Sequence, residues 1–166
     1  SSAASDVYKR QLRGEGRIPS ASELREAREA SGWSRLALDS GRGTATRSHP
    51  ELGVDAGAFG KGLALRRAGR ALRAEAGTGA LNFGGQVLVV GDAPQPVPVA
   101  DAADRARSAV VLEVAGASVA TTSSSERFVE VDGTRYGHVL DPRTGRPVEA
   151  WGSVTVVAED PLVADL

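Results

Sequence analysis

The chain has 166 residues, a formal net charge of -1 at pH 7 and no cysteine. That length suits one domain of ordinary size with a real core. The near-neutral charge supplies no global field for nucleic acid or an anionic membrane, and the lack of thiols removes disulfides, thiolate catalysis and cysteine-type zinc sites.

Residues 1–11 (SSAASDVYKRQ) break with the periodicity of the remaining chain and read as a non-native or assembly scar, leaving 12–166 as the domain. Ser20-Ala21-Ser22-Glu23 has capping-box spacing and predicts a short helix to about Ala30. Residues 36–39 and 44–47 flank Ser40-Gly41-Arg42-Gly43 as a hairpin, and His49, followed by Pro50, reads as an exposed loop histidine. From Phe59 onward, Leu65, Ala68, Leu72 and Ala76 recur at the offsets of one helical face, and Gly77 ends that helix. Residues 80–90 read as a strand interrupted at Gly84-Gly85, where paired glycines suggest a bulge or a close approach by a backbone or a ligand.

Residues 92–107 read as a loop with an edge strand around 97–99, and 109–114 and 118–122 as buried strands. Two alternating runs joined by Asp132-Gly133 predict a hairpin that delivers His138 near its far end, since both central positions of such a turn need positive φ. Residues 153–158 form another predicted strand, and Asp160-Pro161 opens a last helix as N-cap and first position. Strands outnumber helices and hairpins are frequent, so the predicted fold class is α+β, a mostly antiparallel sheet with packed helices. No apolar run approaches the roughly 18 to 20 residues that a membrane-crossing helix needs, so no transmembrane segment is expected, nor a nucleic-acid partner.

Two stretches concentrate chemistry. Asp55-Ala56-Gly57-Ala58-Phe59-Gly60-Lys61-Gly62 is a glycine-rich turn leading into a helix, where free N–H groups and the positive dipole end suit a phosphate. Lys61 is the only lysine beyond the first ten positions in a chain otherwise biased to arginine, which points to a wanted ammonium. The stretch is not a P-loop, which would need a glycine where Asp55 stands and a hydroxyl where Gly62 stands; tight helix packing is the alternative use of its glycines. The second stretch runs from His138 to Pro147. Asp141-Pro142 initiates a turn, Thr144-Gly145 accepts positive φ, and Pro147 halts an immediate return to a ladder, so a rigid loop holds His138 at its mouth. A surface turn with a solvated charge cluster is the plainer reading of the same residues.

Five segments occur in a telling order: Asp55-x-Gly-Ala-x-x-Lys61-Gly62, Asn82-x-Gly84-Gly85, the run from Ala120 to Glu126-Arg127-Phe128, His138-Val-Leu-Asp141-Pro-Arg-Thr-Gly145-Arg-Pro147, and Ser153 through Ala164-Asp165. Together they resemble the FAD:protein FMN transferase (ApbE) family. The resemblance implies an enzyme that splits FAD with the help of Mg2+, passes FMN to a threonine or serine hydroxyl of an acceptor flavoprotein, and releases AMP. It places Asp55, Lys61, Gly84, Gly85 and Asp141 at the FAD, with Lys61 on the pyrophosphate. Ala58, through its backbone carbonyl, and Asp165 fall at the metal, which as a hard cation prefers oxygen ligands. His138 matches the catalytic base, a role suited to a ring that titrates near neutral pH, and Asp141 either orients it or caps its own turn.

The family's further metal-ligand threonine would be residue 169, and its N-terminal portion has no counterpart, so the chain reads as truncated at both ends. The family implies a bacterial cell-envelope or cytoplasmic setting. Arg66 stands where the family usually has aspartate, Ser123-Ser124 replaces Ser-Gly, and no tryptophan opens the segment near Val97. These departures keep two other readings open, a relative that holds FAD without turnover and a partial domain without activity of its own.

Overall fold

The computed structural model of the chain describes residues 17–124, 128–149 and 151–166. The segment read as a scar, residues 1–11, lies outside them, as do Glu126 and Arg127 of the third motif. The chain divides into two compact units, one of Ser1–Asp55 with Arg127–Ala150 and one of Ala56–Glu126 with Trp151–Leu166. Each builds its own core.

In the first unit, helix α1 (Ala21–Glu29) begins with the predicted capping box: Ser20 accepts from the Glu23 N–H while the Glu23 carboxylate accepts from the Ser20 N–H. Strands β1 (Leu36–Asp39) and β2 (Thr44–Arg47) form an antiparallel hairpin over the predicted residues. Strands β8 (Phe128–Val131) and β9 (Thr134–Gly137) form a second hairpin, turning through Asp132 at φ 50° and Gly133 at φ 73°. Those two positive values make the turn compatible with the strand twist, which is why Asp-Gly is legible there. Leu24 of α1 packs against Val129, Val131, Tyr136 and Leu140. His49 is half-buried, not exposed, and its Nδ1 accepts from the Glu51 N–H.

The second unit centres on a four-stranded antiparallel sheet in the order β10 (Ser153–Ala158), β7 (Ser118–Ser123), β4 (Gln86–Val90), β3 (Gly79–Phe83). Side chains of β4 alternate between the two faces. Leu88 and Val90 join Leu65 of the long helix α2 (Gly60–Ala76). Val89, with the half-buried Val87, joins Val97, Val99 and Val114 from the hairpin of β5 (Gln95–Ala100) and β6 (Ser108–Val114). A short helix α3 (Pro161–Asp165) follows β10 and packs on α2. The α+β class with antiparallel pairing is as predicted.

Four further local expectations need correction. Gly84 and Gly85, at φ 60° and 89°, make the two-residue turn of the β3–β4 hairpin, not a bulge within one strand. The buried line of α2 is Gly62, Leu65 and Gly69, whereas Ala68 and Ala76 are exposed, because glycines admit neighbouring backbone and side chains that alanine would repel. Strand β6 is largely exposed along its length, with only Val114 buried, since it pairs on one side with β5 alone. Pro147 does not stop the return of its loop: it bridges Leu140, flanked by Asp141 N–H to Arg146 O and Val148 N–H to Val139 O. At that pair the ladder asks no N–H of residue 147, so proline is tolerated.

Candidate functional site

The start of α2 lacks a side-chain cap, because the residue before it is Phe59. The Asp165 carboxylate from α3 serves that end instead. Its Oδ2 accepts from the Gly62 N–H at 2.8 Å, and its Oδ1 lies 3.3 Å from Lys61 Nζ. Asp165 keeps 4% of its side chain exposed and Lys61 36%, so the carboxylate is sealed while the ammonium also faces solvent. A negative group is favoured there by the helix dipole and by the orphan N–H groups. Asp165 takes an N–H left open at that helix end, and the short turn Ala56–Ala58 immediately precedes it in the chain.

Gly62 is what lets α3 approach. A Cβ built there would lie 2.4 Å from the Pro161 carbonyl oxygen and 2.8 Å from both Leu162 Cα and Asp165 Cβ. The β3–β4 turn stands beside the same lysine, since a Cβ on Gly84 would contact Lys61 Cδ at 3.5 Å. Asn82 Oδ1 accepts from the Gly85 N–H and closes that turn. Thus Ala58, Lys61, Gly84, Gly85 and Asp165 belong to one neighbourhood around the start of α2.

Helix α3 starts at the predicted cap, and two partners remote in sequence hold that end. Asp160 caps it through the Leu162 N–H at 2.9 Å, and Arg66 forks onto both Asp160 oxygens, with Nε 2.8 Å from Oδ1. The Arg66 guanidinium, with the Leu162 N–H as a weaker contributor, holds the Asp160 carboxyl below the usual carboxylate range. The departure at Arg66 is thus a charge-reversed contact with a carboxylate of this same chain. Gln86, fully buried, gives its Nε2 protons to the Pro161 carbonyl at 2.7 Å and to Ser118 Oγ at 3.1 Å, and its Oε1 has no partner among the described residues.

His138, Asp55 and Asp141 lie in the first unit. His138 is exposed just past the end of β9, and Asp55 is half-buried. Asp141 caps its own turn: Oδ1 accepts from the Arg143 N–H at 2.8 Å and from Arg143 Nε at 3.1 Å, while Oδ2 accepts from the other guanidinium nitrogen. The Arg143 side chain, then its backbone N–H, depresses the Asp141 carboxyl. Gly145, buried at φ 71°, accommodates the turn. A cavity of about 720 Å³ opens beside this loop, lined in part by Arg25, Arg28, Trp33, Leu140 and Asp141. Trp33, 77% exposed, carried no sequence signal of its own.

Among the described residues, no cluster of three or more His, Asp and Glu side chains converges on a metal position. Mg2+ is ordinarily held through only one or two carboxylates together with substrate phosphates. Asp165 supplies one such carboxylate at the start of α2.

The fold is that of an ApbE-like α+β protein. The ApbE protein of Thermotoga maritima matches with a TM-score of 0.88 at 30% identity, covering 98% of this chain and 54% of that one. The apo flavinyl transferase ApbE of Pseudomonas stutzeri matches at 0.73 and 26%, over 90% of this chain and 47% of that one. The ApbE family model matches residues 2–166, and the chain belongs to that family. A FAD:protein FMN transferase of Klebsiella pneumoniae (strain 342) is 33% identical over 153 residues, 90% of this chain and 48% of the relative. Another, of Rhodobacter capsulatus, is 35% identical over 128 residues, 74% of this chain and 24% of the relative. The chain thus spans about half the length of the Klebsiella relative and a quarter of the other.

Proposed function

We propose that the chain carries part of the machinery of a FAD:protein FMN transferase, moving FMN from FAD to a threonine or serine hydroxyl of an acceptor flavoprotein with release of AMP, in a Mg2+-dependent reaction. The observation that carries this reading is the Lys61–Asp165 pair at the uncapped start of α2, in a chain whose relatives bear that name. The half-exposed Lys61 and the N–H groups of the turn are suited to the pyrophosphate of FAD. Gly84 and Gly85, without side chains, leave room for the nucleotide beside Lys61. Asp165 and the Ala58 carbonyl are the oxygens that would hold Mg2+, which when bound neutralises charge on the pyrophosphate oxygens.

His138 takes the proton of the acceptor hydroxyl. The hydroxyl oxygen bonds to the phosphorus on the flavin side, the bond from that phosphorus to the bridging oxygen breaks, and AMP leaves with the electron pair. Positioning of a general base contributes about 10² to 10⁴ in rate. Asp55 lies two residues before Gly57 in the same glycine-rich turn and is assigned to FAD. Asp141, engaged by Arg143 in its own turn, supports the His138 loop and is assigned to FAD with it.

The test is incubation with FAD, Mg2+ and a peptide carrying an acceptor threonine. Flavin fluorescence migrating with the peptide is expected. FAD held tightly with no labelled peptide would replace this function with nucleotide binding alone.

A further inference from the structure

We propose that Arg66 and Gln86 are positioning residues that hold the Asp165 carboxylate at the start of α2 and thereby set how tightly the chain takes a divalent cation with FAD. The proposal rests on the reading of Asp165 as a metal-binding carboxylate. Helix α3 is seated on α2 by contacts from parts of the chain remote in sequence. Two of these contacts hold its first turn. Arg66 grips Asp160 with both a side-chain Nε and a terminal nitrogen, a planar fork that fixes direction as well as distance. Gln86 grips the next residue, donating to the Pro161 carbonyl at 2.7 Å.

The orientation of that amide is determined by its neighbours. The Pro161 carbonyl can only accept, and Ser118 Oγ donates its own proton to the Val87 carbonyl at 2.8 Å, so it too must accept from Nε2. Both amide protons are then used, and Oε1 is left buried without a partner among the described residues. A methionine would fill a similar volume without stranding an oxygen, so stability alone does not account for an amide here. The tether to Pro161 does. Asp165 follows Pro161 by four residues, about one helical turn, so fixing the first turn fixes where the carboxylate falls. Gly62 completes the seat by admitting the Pro161 carbonyl and Asp165 Cβ against α2.

Two measurements on the chain test this. The first is amide hydrogen exchange, because the Gly62 N–H reports directly on Asp165, its acceptor. The second is the Mg2+ concentration that gives half-maximal binding of FAD, read by flavin fluorescence. In Arg66→Met and in Gln86→Met, the Gly62 amide is expected to exchange about tenfold faster while amides from Leu65 to Leu72 keep their rates. The Mg2+ concentration needed rises about tenfold, and FAD binding without Mg2+ stays as in the unaltered chain. Arg66→Lys, which keeps the charge and loses the fork, falls between, and it carries the same comparison if Arg66→Met does not fold.

Unchanged exchange at Gly62, or equal acceleration of all α2 amides, would overturn the proposal and leave Arg66 and Gln86 as general stabilisers. Asp165→Asn separates the two levels. If that variant leaves the Mg2+ dependence of FAD binding intact, or if the unaltered chain shows none, the metal reading of Asp165 fails and the proposal falls with it. If Asp165→Asn abolishes the dependence and the Arg66 and Gln86 variants do not shift it, the reading stands and the positioning role alone is refuted.

Discussion

Replacing Gly62 by alanine separates stability from function. The added methyl would meet the Pro161 carbonyl oxygen at 2.4 Å and Leu162 Cα at 2.8 Å, both backbone atoms with no rotamer to turn aside. Restoring an ordinary contact requires α3 to withdraw by about 1 Å, which stretches the 2.8 Å bond from Gly62 N–H to Asp165 beyond hydrogen-bonding range. Overpacking of this kind costs about 1–3 kcal/mol, and alanine returns about 1 kcal/mol in helix propensity over glycine. The net loss of stability is therefore about 0–2 kcal/mol, a fall in Tm of at most about 8 °C for a chain of this size. The Asp165 carboxylate, by contrast, leaves its seat altogether. Mg2+-dependent FAD binding should weaken by more than about tenfold, which corresponds to one lost charge-assisted hydrogen bond.

Gly69→Ala is the control, since its methyl would press on Leu88 Cδ2, the end of a side chain, away from α3. It should leave FAD binding unchanged. Thermal unfolding and FAD titration of the two variants decide the matter. A Gly62→Ala chain that is about 1 kcal/mol more stable and binds FAD at the original Mg2+ requirement would refute the close-approach reasoning.

His138→Ala should keep FAD binding and lose about 10² to 10⁴ in transfer rate, measured as labelled peptide formed over time; loss of the folded far-UV signal would make the ring structural instead. Because Arg66 depresses the Asp160 carboxyl in the folded chain, the folded state binds that proton less readily than the unfolded state. The stability it confers is fully present above about pH 4 and is lost as pH falls through the lowered folded value. Urea midpoints of the unaltered chain and Arg66→Met should accordingly differ at pH 7 and draw together as pH falls below about 4, and a gap that stays constant on acidification would remove the pair from the acid response. Ser20→Ala breaks the capping box of α1 and should cost about 1 kcal/mol in urea unfolding; no change would mean that Leu24 packing alone holds the helix.

Much of the local structure is legible in the sequence because its signals are local. Asp132-Gly133 prescribes a turn with two positive φ values, Ser20 and Glu23 prescribe reciprocal caps, and Asp160-Pro161 prescribes a helix start. Gly84-Gly85 carries the same turn chemistry but is masked by the apolar run continuing on both sides, so the residues read as one strand where a hairpin stands. The core line of α2 escapes hydrophobic periodicity because two of its buried positions, Gly62 and Gly69, are defined by what they let in. Partners remote in sequence escape as well. Nothing near Arg66 announces Asp160, ninety-four residues on, and nothing near Gln86 announces the Pro161 carbonyl, seventy-five residues on. The motif residues Lys61 and Asp165 can be named through the family resemblance, whereas the apparatus that brings them together is visible only in three dimensions.

The most direct test of the proposed activity is to count AMP against flavin-labelled peptide in a reaction of the chain with FAD, Mg2+ and a threonine acceptor peptide. Transfer predicts equal amounts of the two products, both abolished by chelation of Mg2+. AMP released without labelled peptide, or no AMP from a chain that binds FAD, would contradict it.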